Sequence, residues 1–203
     1  MLAAVQLTWL KDVKDMDIAI VDSTFMPEGV PDTYPNLPHK TKMLCRHAKE
    51  RQYNWLIKID VDSFVRPKLL AAPAFDYAGR YRGASGGFPA PFCSGGAYWL
   101  SARAIEMVAQ AEINDNAEDR WVGNTLLKFG IAARHLPGYI APTHAPVSDY
   151  LKHPEVVVLM QIEEPLQQHR YYAGQFDMPV RPAGADRSHY PCGSQLRAQM
   201  RKP

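Results

Sequence analysis

Two aspartates separated by one residue, Asp60 and Asp62, are the residues of this sequence best suited to carry out chemistry. They follow a short run of apolar, β-forming residues beginning at Trp55, which predicts a strand buried on both faces that ends in an acidic turn. Carboxylates at the carboxyl end of a strand in an α/β sheet lie where such sheets bind ligands. Because two carboxylates at this spacing can hold one divalent cation, the stretch predicts a metal and diphosphate site.

Three other interpretations compete for this turn. The simplest is a solvated turn after a strand. A calcium loop is excluded by spacing, because a loop that began at Asp60 would have Val65 at its glycine position and Ala71 at its final glutamate position. A phosphatase similar to the haloacid dehalogenases would use Asp60 as nucleophile and Asp62 as acid. Phe64 stands where that motif has Thr or Val, and no later Gly-Asp-x-x-x-Asp pattern follows.

The composition is that of an ordinary soluble domain. The chain has 203 residues, 46% of them hydrophobic, and a formal net charge of +2, which indicates no special electrostatic partner. Five basic residues fall on the helix expected over 36–52, and we interpret them as a solvated helix face rather than a nucleic-acid surface. No apolar run approaches the ~20 residues that span a bilayer. Three cysteines without Cys-x-x-Cys spacing indicate neither a zinc site nor a disulfide framework. We therefore expect a soluble cytoplasmic protein that has no transmembrane segment and does not bind nucleic acid.

Hydrophobic periodicity predicts the elements that position the acidic turn. Helices and strands alternate along the chain, which predicts an α/β layer architecture with a partly parallel sheet. The final 28 or so residues lack apolar periodicity, and we expect 176–203 to be a poorly structured tail after one domain over 1–175. The expected elements are helices over 1–13, 36–52, 102–111, 118–129 and 163–173, strands over 17–21, 55–61, 97–100 and 156–160, and a glycine-rich loop over 83–96.

Two acidic residues open the fourth of these helices. Glu118 and Asp119 suit the positive end of a helix, and a carboxylate in this place can also act as a general base. From the residues alone, both interpretations stay open. Gly123 inside the same helix predicts a close approach by something else, for which packing against another helix is the ordinary explanation.

Four sequence blocks occur in an order that resembles the β-1,3-galactosyltransferase and Fringe family of glycosyltransferases. That family's pattern is approximately Asp-x-Tyr-x-Asn-Leu-x-x-Lys-Thr, Lys-x-Asp-Asp-Asp-x-Phe-Val, Cys-Ser-Gly-Gly-x-Tyr-x-Leu-Ser and Glu-Asp-Val-x-x-Gly. The corresponding blocks here are residues 31–41, 58–65, 92–101 and 118–127. The resemblance implies a GT-A-like (Rossmann-like) α/β/α sandwich with a mixed central sheet, here lacking the family's first strand. It also implies an inverting hexosyltransferase that uses a UDP-sugar and Mn²⁺ or Mg²⁺.

The resemblance also implies roles for individual residues. Asp62 would be the direct metal ligand, with Asp60 supporting the metal or the ribose. Asp119 would be the general base, with Glu118 as the second candidate. The remaining residues expected to contact donor or acceptor are Lys58, Gly95, Gly96 and Trp121.

Three departures from the family pattern affect these expectations. Val61 replaces the middle aspartate, Met160 stands where a metal-binding histidine is expected, and the first strand is missing before Met1. His144 and His153 lie near enough in sequence to serve as a replacement metal ligand. The departures keep open an alternative function, that of a non-catalytic protein that binds nucleotide sugars or glycans. They also leave open that the chain is a fragment of a Golgi-anchored enzyme.

Overall fold

The structure of this chain is a computed structural model. It describes residues 2–83, 90–141, 153–160, 162 and 195–200. The helices are α1 (Leu2–Leu7), α2 (Leu37–Glu50), α3 (Ala102–Gln110) and α4 (Glu118–Lys128). The strands are β1 (Met16–Val21), β2 (Trp55–Asp60), β3 (Phe64–Val65), β4 (Tyr77–Arg82), β5 (Phe92–Ser101), β6 (Arg134–His135), β7 (Tyr139–Ile140), β8 (Val158–Leu159) and β9 (Gln195–Met200). Short 3-10 helices lie at Trp9–Asp12, Ser23–Phe25, Tyr34–Asn36 and Pro67–Leu69.

The strands form two sheets of mixed orientation, as expected for an α/β protein. The larger sheet has the order β1-β9-β2-β5-β4-β6, and the smaller has the order β3-β8-β7. In the larger sheet β5 is antiparallel to β2 and β4, β9 is antiparallel to β1 and β2, and β6 is parallel to β4. Consequently β1, β2, β4 and β6 run in one direction. The acidic turn follows the carboxyl end of β2.

Each face of the larger sheet carries its own hydrophobic core. Along β2, Ile57 and Ile59 point to the side covered by α1 and the smaller sheet, whereas Leu56 points to the side covered by α2, α3 and α4. This alternation is the period of two that a strand imposes on its side chains. Lys58 and Asp60 lie two and four residues after Leu56, so their side chains leave the strand on the same face, the one covered by helices.

The C-terminal strand differs from the sequence prediction. Residues 195–200, which lie in the segment expected to be a poorly structured tail, form β9 between β1 and β2. Among the described strands, β9 alone pairs with β1 and so joins it to the sheet. The sequence gives little sign of this strand because its pairing partners lie far away in the chain. The helix expected over 163–173 lies outside the described residues.

Strand β5 also differs from the expectation of a loop up to residue 96. It begins at Phe92 and includes Gly95 and Gly96. Its pairing with β4 is interrupted, because Gly79 faces Tyr98 whereas Tyr81 faces Cys93. The segment between Cys93 and Tyr98 therefore forms an irregularity in the sheet, which frees backbone groups from the strand ladder.

Helices α3 and α4 match their predicted bounds closely, and local signals explain why. The Ser101 hydroxyl accepts a hydrogen bond from the backbone N–H of Ala104 at 3.3 Å and caps α3. Gly130, with a φ of +74°, stops the chain after α4. Among the described residues, no helix combines the length and the apolar character needed to cross a membrane.

The glycine inside α4 lies against β5. A Cβ atom placed on Gly123 would be 2.5 Å from the Cβ of Phe92 and 3.2 Å from the carbonyl oxygen of Pro91. The close approach predicted for this glycine is therefore packing of a helix on a strand, and it brings the start of α4 next to the irregular part of β5.

We predict that Gly123→Ala destabilises the protein although alanine favours a helix by ~1 kcal/mol over glycine. The added methyl group would lie 2.5 Å from the Cβ and 3.1 Å from the Cα of Phe92, so the strand backbone must shift. We expect a cost at the upper end of the about 1–3 kcal/mol typical of an overfilled interior, which exceeds the helix gain. Urea denaturation measures the change in the free energy of unfolding. Lys128→Ala, an exposed change on the same helix, is the control and should stay within about 0.5 kcal/mol of the wild type. A Gly123→Ala variant as stable as the wild type would contradict this packing.

Candidate functional site

Three elements converge where β2 ends: the irregular part of β5, the first turn of α4 and the first turns of α2. All four sequence blocks thus contribute side chains to one cluster, and the block 92–101 also contributes the backbone groups of Gly95. The centre of this cluster is the side chain of Lys58, which is only 1% exposed.

The Lys58 ammonium is held by three oxygen-bearing groups. It pairs with the carboxylate of Asp60, donates a hydrogen bond to the carbonyl oxygen of Gly95, and lies 3.7 Å from Oε2 of Glu118. A buried ammonium without such partners would be strongly destabilising. Lys58, expected to contact the donor or acceptor, therefore acts inside the protein as the counter-ion of two carboxylates.

Glu118 is buried, and its carboxylate is bonded to other side chains of the protein. Its Oε1 accepts hydrogen bonds from the Thr41 hydroxyl at 2.8 Å and from the Tyr98 hydroxyl. These contacts join α4 to α2 and to β5. Glu118, the second candidate for a general base, is thus positioned as a structural carboxylate of this cluster rather than as a group open to a substrate.

Asp119, the next residue, is only partly buried. Its Oδ2 accepts a hydrogen bond from the backbone N–H of Gly95 at 3.2 Å, and its Oδ1 accepts one from the N–H of Arg120 at 2.9 Å. Burial and the adjacent charge of Glu118 raise the pKa of Asp119, and the two N–H groups and Lys58 oppose that rise. A partly accessible carboxylate with a raised pKa is a stronger base than an ordinary aspartate, as general-base catalysis requires.

Asp62 belongs to a turn that is anchored on both sides. The backbone N–H of Ser63 bonds to the carbonyl oxygen of Asp60 at 3.0 Å, and the Ser63 hydroxyl bonds to the carbonyl oxygen of Gly96 at 3.2 Å. The carbonyl oxygen of Asp62 accepts from the N–H of Ile162 at 2.5 Å. These bonds place Asp62 beside the cluster, with a side chain that is partly exposed.

The residues around Asp62 fit a metal that arrives with a diphosphate better than a metal held by protein alone. Asp60 pairs with Lys58 at the end of β2, whereas Asp62 is partly exposed in the turn that follows. Mg²⁺ and similar cations are commonly held by one or two carboxylates together with substrate phosphates. In the described part of the chain, no group of three His, Cys, Asp or Glu side chains is arranged to hold a metal ion.

The residues considered for a third metal ligand have other surroundings. Met160 is buried against Gly96, where an added Cβ atom would lie 2.8 Å from the Met160 sulfur. His153 lies on the surface with Nδ1 3.2 Å from the carboxylate of Glu155. Within the described residues, it forms no group of three His, Cys, Asp or Glu side chains that could hold a metal ion. His144 lies outside the described residues.

The predicted contact of Trp121 with a sugar needs correction. Trp121 is fully buried and donates from Nε1 to the carbonyl oxygen of Glu112 at 2.8 Å, so its ring cannot stack on a sugar. Gly96 accommodates Met160, as described above. Gly95 uses both backbone groups inside the protein, because its N–H donates to Asp119 and its carbonyl oxygen accepts from Lys58.

Sequence reasoning did not single out Thr41 and Tyr98, although both lie in the blocks that carry the resemblance. Tyr98 lies directly opposite Lys58 in the pairing of β2 with β5, and the Lys58 ammonium is 5.8 Å from the centroid of its ring. The sequence signal that could have pointed to Tyr98 is Lys58 itself. A lysine inside an apolar strand calls for such partners.

Comparison with known proteins provides no family for this chain. No protein-family model matches it, and no match was found among curated proteins.

We predict that Glu118→Ala lowers the free energy of unfolding by about 3–5 kcal/mol, because it leaves the buried Lys58 with Asp60 as its single counter-ion and removes an acceptor from two hydroxyl groups. Glu106→Ala is the matched control. Glu106 pairs with Lys49 at 3.0 Å, with side chains 47% and 43% exposed, so its loss should cost less than about 1 kcal/mol. Equal effects of the two changes in urea denaturation would rule out a central role for the cluster.

Proposed function

We propose that this chain is an inverting, metal-assisted glycosyltransferase with a GT-A-like arrangement. It transfers a hexose or N-acetylhexosamine from a UDP-sugar to a hydroxyl group of a glycan or another acceptor. The observation that carries the proposal is the pair of carboxylates at the start of α4. One is buried as part of an ion cluster, and the other is partly accessible with a raised pKa, beside an Asp-x-Asp turn.

In this proposal Asp119 activates the acceptor. The acceptor hydroxyl gives its proton to the Asp119 carboxylate as its oxygen forms a bond to the anomeric carbon of the donor sugar. The bond from that carbon to the β-phosphate oxygen breaks, and UDP leaves with the bonding electrons. A single displacement of this kind inverts the anomeric configuration. The Gly95 N–H keeps Asp119 oriented for the proton transfer.

The acidic turn would hold the diphosphate through a divalent cation. Asp62 would hold Mn²⁺ or Mg²⁺, which would neutralise the negative charge that develops on the leaving diphosphate. Asp60 is positioned by Lys58, and this pair keeps the turn in place beside the β5 backbone.

A second candidate function is binding of a nucleotide sugar or a glycan without turnover. The observation in its favour is that Asp60 is engaged with Lys58 and that a methionine, Met160, packs on Gly96 where the family resemblance implies a metal-binding histidine. Tight binding of UDP with neither transfer nor hydrolysis of a UDP-sugar would support this candidate against the first.

We predict that UDP binds in the presence of Mn²⁺ and that Asp62→Asn weakens this binding at least tenfold, because it removes the charge of the carboxylate proposed to hold the cation. Isothermal titration calorimetry with and without Mn²⁺ measures the effect. Asp15→Asn is the matched control: Asp15 is exposed and precedes the amino end of β1, whereas Asp62 follows the carboxyl end of the parallel β2. Metal-dependent UDP binding that is unchanged in Asp62→Asn would overturn the assignment of this residue.

We predict a pH profile of transfer that rises through the pKa of Asp119. A general base works only when it is ionised, so activity is lost as pH falls through this pKa. Because burial and the charge of Glu118 raise the pKa of Asp119 above its usual 3.8, the loss of activity begins at a higher pH than for an exposed aspartate. The pH dependence of kcat measures this.

We also predict that Asp119→Asn lowers kcat by about 10²–10⁴-fold, because the amide cannot accept the proton of the acceptor, while UDP binding measured by calorimetry stays intact. An Asp119→Asn variant with wild-type kcat would exclude Asp119 as the base.

A further inference from the structure

Two exposed aromatic side chains belong to segments that meet at one edge of the larger sheet. Phe75 directly precedes the segment that enters β4, and Phe129 follows α4. Because β2 and β4 run in the same direction, the start of β4 and the acidic turn after β2 lie at opposite edges of the sheet. Phe75 is 46% exposed and Phe129 is 49% exposed. Single exposed apolar side chains are common, whereas a cluster of them marks an interaction site.

The side chain of Arg103 joins the two aromatic segments. It comes from the first turn of α3, directly after β5, which is antiparallel to β2 and β4 and so ends at the edge where they begin. Its guanidinium lies 3.4 Å from the carboxylate of Asp76, the residue after Phe75, and donates to the carbonyl oxygen of Phe129 at 3.1 Å. The Ser101 hydroxyl at the end of β5 also bonds to the Asp76 carboxylate. The two aromatic residues therefore lie on one surface, on either side of a guanidinium.

Arg134 adds a second guanidinium to this surface. It begins β6 and lies opposite Ala78 near the start of β4. Its guanidinium carbon is over the ring of Phe75, 5.7 Å from the ring centroid, which is a cation–π contact. Among the described residues, no carboxylate forms an ion pair with Arg134. A guanidinium that lies over a ring keeps its N–H donors in its own plane, where two of them can bind one carboxylate.

The charge of the surface indicates what it can bind. Arg103, Lys128 and Arg134 are exposed, and Asp76 is the one carboxylate found paired with any of them in the part of the chain that the structure describes. A second copy of the same surface would bring like charges together, which is unfavourable. A nucleic acid would require a larger clustered basic face. An acidic polypeptide with apolar side chains between its carboxylates complements both the cations and the rings.

We propose that the surface formed by Phe75, Arg103, Phe129 and Arg134, called here the docking surface, binds an acidic polypeptide segment that carries apolar side chains. A carboxylate of the partner binds Arg134 through two N–H groups, and an apolar side chain of the partner packs on the exposed rings. Arginine and aromatic residues are those that dominate binding at protein interfaces. This inference goes beyond the proposed function and does not depend on it, since the docking surface and the acidic turn lie at opposite edges of the sheet.

Three synthetic peptides and one oligonucleotide test the docking surface. The first peptide repeats Glu-Asp-Phe, the second has Ser in place of each Phe, and the third has Lys in place of each acidic residue. The oligonucleotide is a short single-stranded oligothymidylate. Titration of each probe into the ¹⁵N-labelled full chain, followed by ¹H–¹⁵N NMR, reports where the probe binds and its Kd. The same spectra show whether each variant is folded.

The variants separate the docking surface from exposed side chains elsewhere. Phe75→Ala and Arg134→Ala each remove one group of the docking surface. Tyr81→Ala and Arg82→Ala are the matched controls, because Tyr81 is 43% exposed, Arg82 is exposed, and both lie at the other end of β4. Arg134→Glu reverses the charge at the centre of the proposed contact.

We expect the Glu-Asp-Phe peptide to shift the amide signals of residues 75–76, 103 and 128–135 and to leave those of 60–62 unchanged. Phe75→Ala and Arg134→Ala should each weaken its binding about tenfold, because both groups lie in the contact. The two control variants should change its Kd by less than about twofold. Arg134→Glu should bind the lysine peptide more tightly than the Glu-Asp-Phe peptide, and the serine peptide should bind the wild type more weakly than the latter.

Several results would overturn the inference. One is a wild-type protein whose docking-surface signals do not respond to the Glu-Asp-Phe peptide at millimolar concentration. Another is an equal loss of affinity in Arg134→Ala and Arg82→Ala. Tighter binding of the oligothymidylate than of the peptide would assign the surface to nucleic acid instead. Self-association of the wild type in sedimentation velocity that is lost in Phe75→Ala would assign it to a second copy of this chain.

Discussion

The burial of one ammonium group, that of Lys58, determines how the helix-covered face of the larger sheet is built. A charge placed inside an apolar strand has to be balanced by groups that reach it from neighbouring elements. Asp60 supplies one such group from the same strand, Glu118 supplies another from α4, and Gly95 supplies a carbonyl oxygen from β5. The position of α4 against the sheet is therefore coupled to the position of the acidic turn.

The irregularity of β5 follows from the same requirement. Regular pairing with β2 ends at Ile59 and Ala97, and pairing with β4 resumes only at Tyr81 and Cys93. Between these points, the backbone of Gly95 is free of the strand ladder, so its carbonyl group can accept from Lys58 and its N–H can donate to Asp119. A β-bulge commonly redirects groups in this way next to a binding site. A single glycine thus connects the buried ion cluster to the partly exposed carboxylate.

Local patterns in the sequence were enough to locate the elements that carry the site, but not to determine their packing. The apolar run before Asp60 predicted β2, and the acidic residues at 118 and 119 together with Gly130 predicted both ends of α4. The stretch containing Gly95 was expected to be a loop, because glycine has low strand propensity and a bulge depends on partners elsewhere.

Long-range contacts explain the other differences between expectation and structure. Periodicity cannot tell whether an aromatic residue near a site faces solvent or the core, and Trp121 proved to be in the core. Strand β9 pairs with strands more than a hundred residues away in sequence, so residues 195–200 gave no local sign of belonging to the sheet. The partners of Lys58, by contrast, were all present in the sequence blocks, and only their convergence in space was missing.

The two carboxylates at the start of α4 divide their roles because of helix geometry. Consecutive residues of an α-helix point about 100° apart, so Glu118 and Asp119 contact β5 at different places and only Glu118 reaches the hydroxyl groups of Thr41 and Tyr98. Glu118 faces inward, where Thr41 and Tyr98 bond to it. Asp119 is left at the edge, close enough to the buried charge for its pKa to rise and exposed enough to meet a ligand. Neighbouring carboxylates in unlike environments are a recurring basis of acid–base chemistry, since the environment and not the residue type sets the role of each.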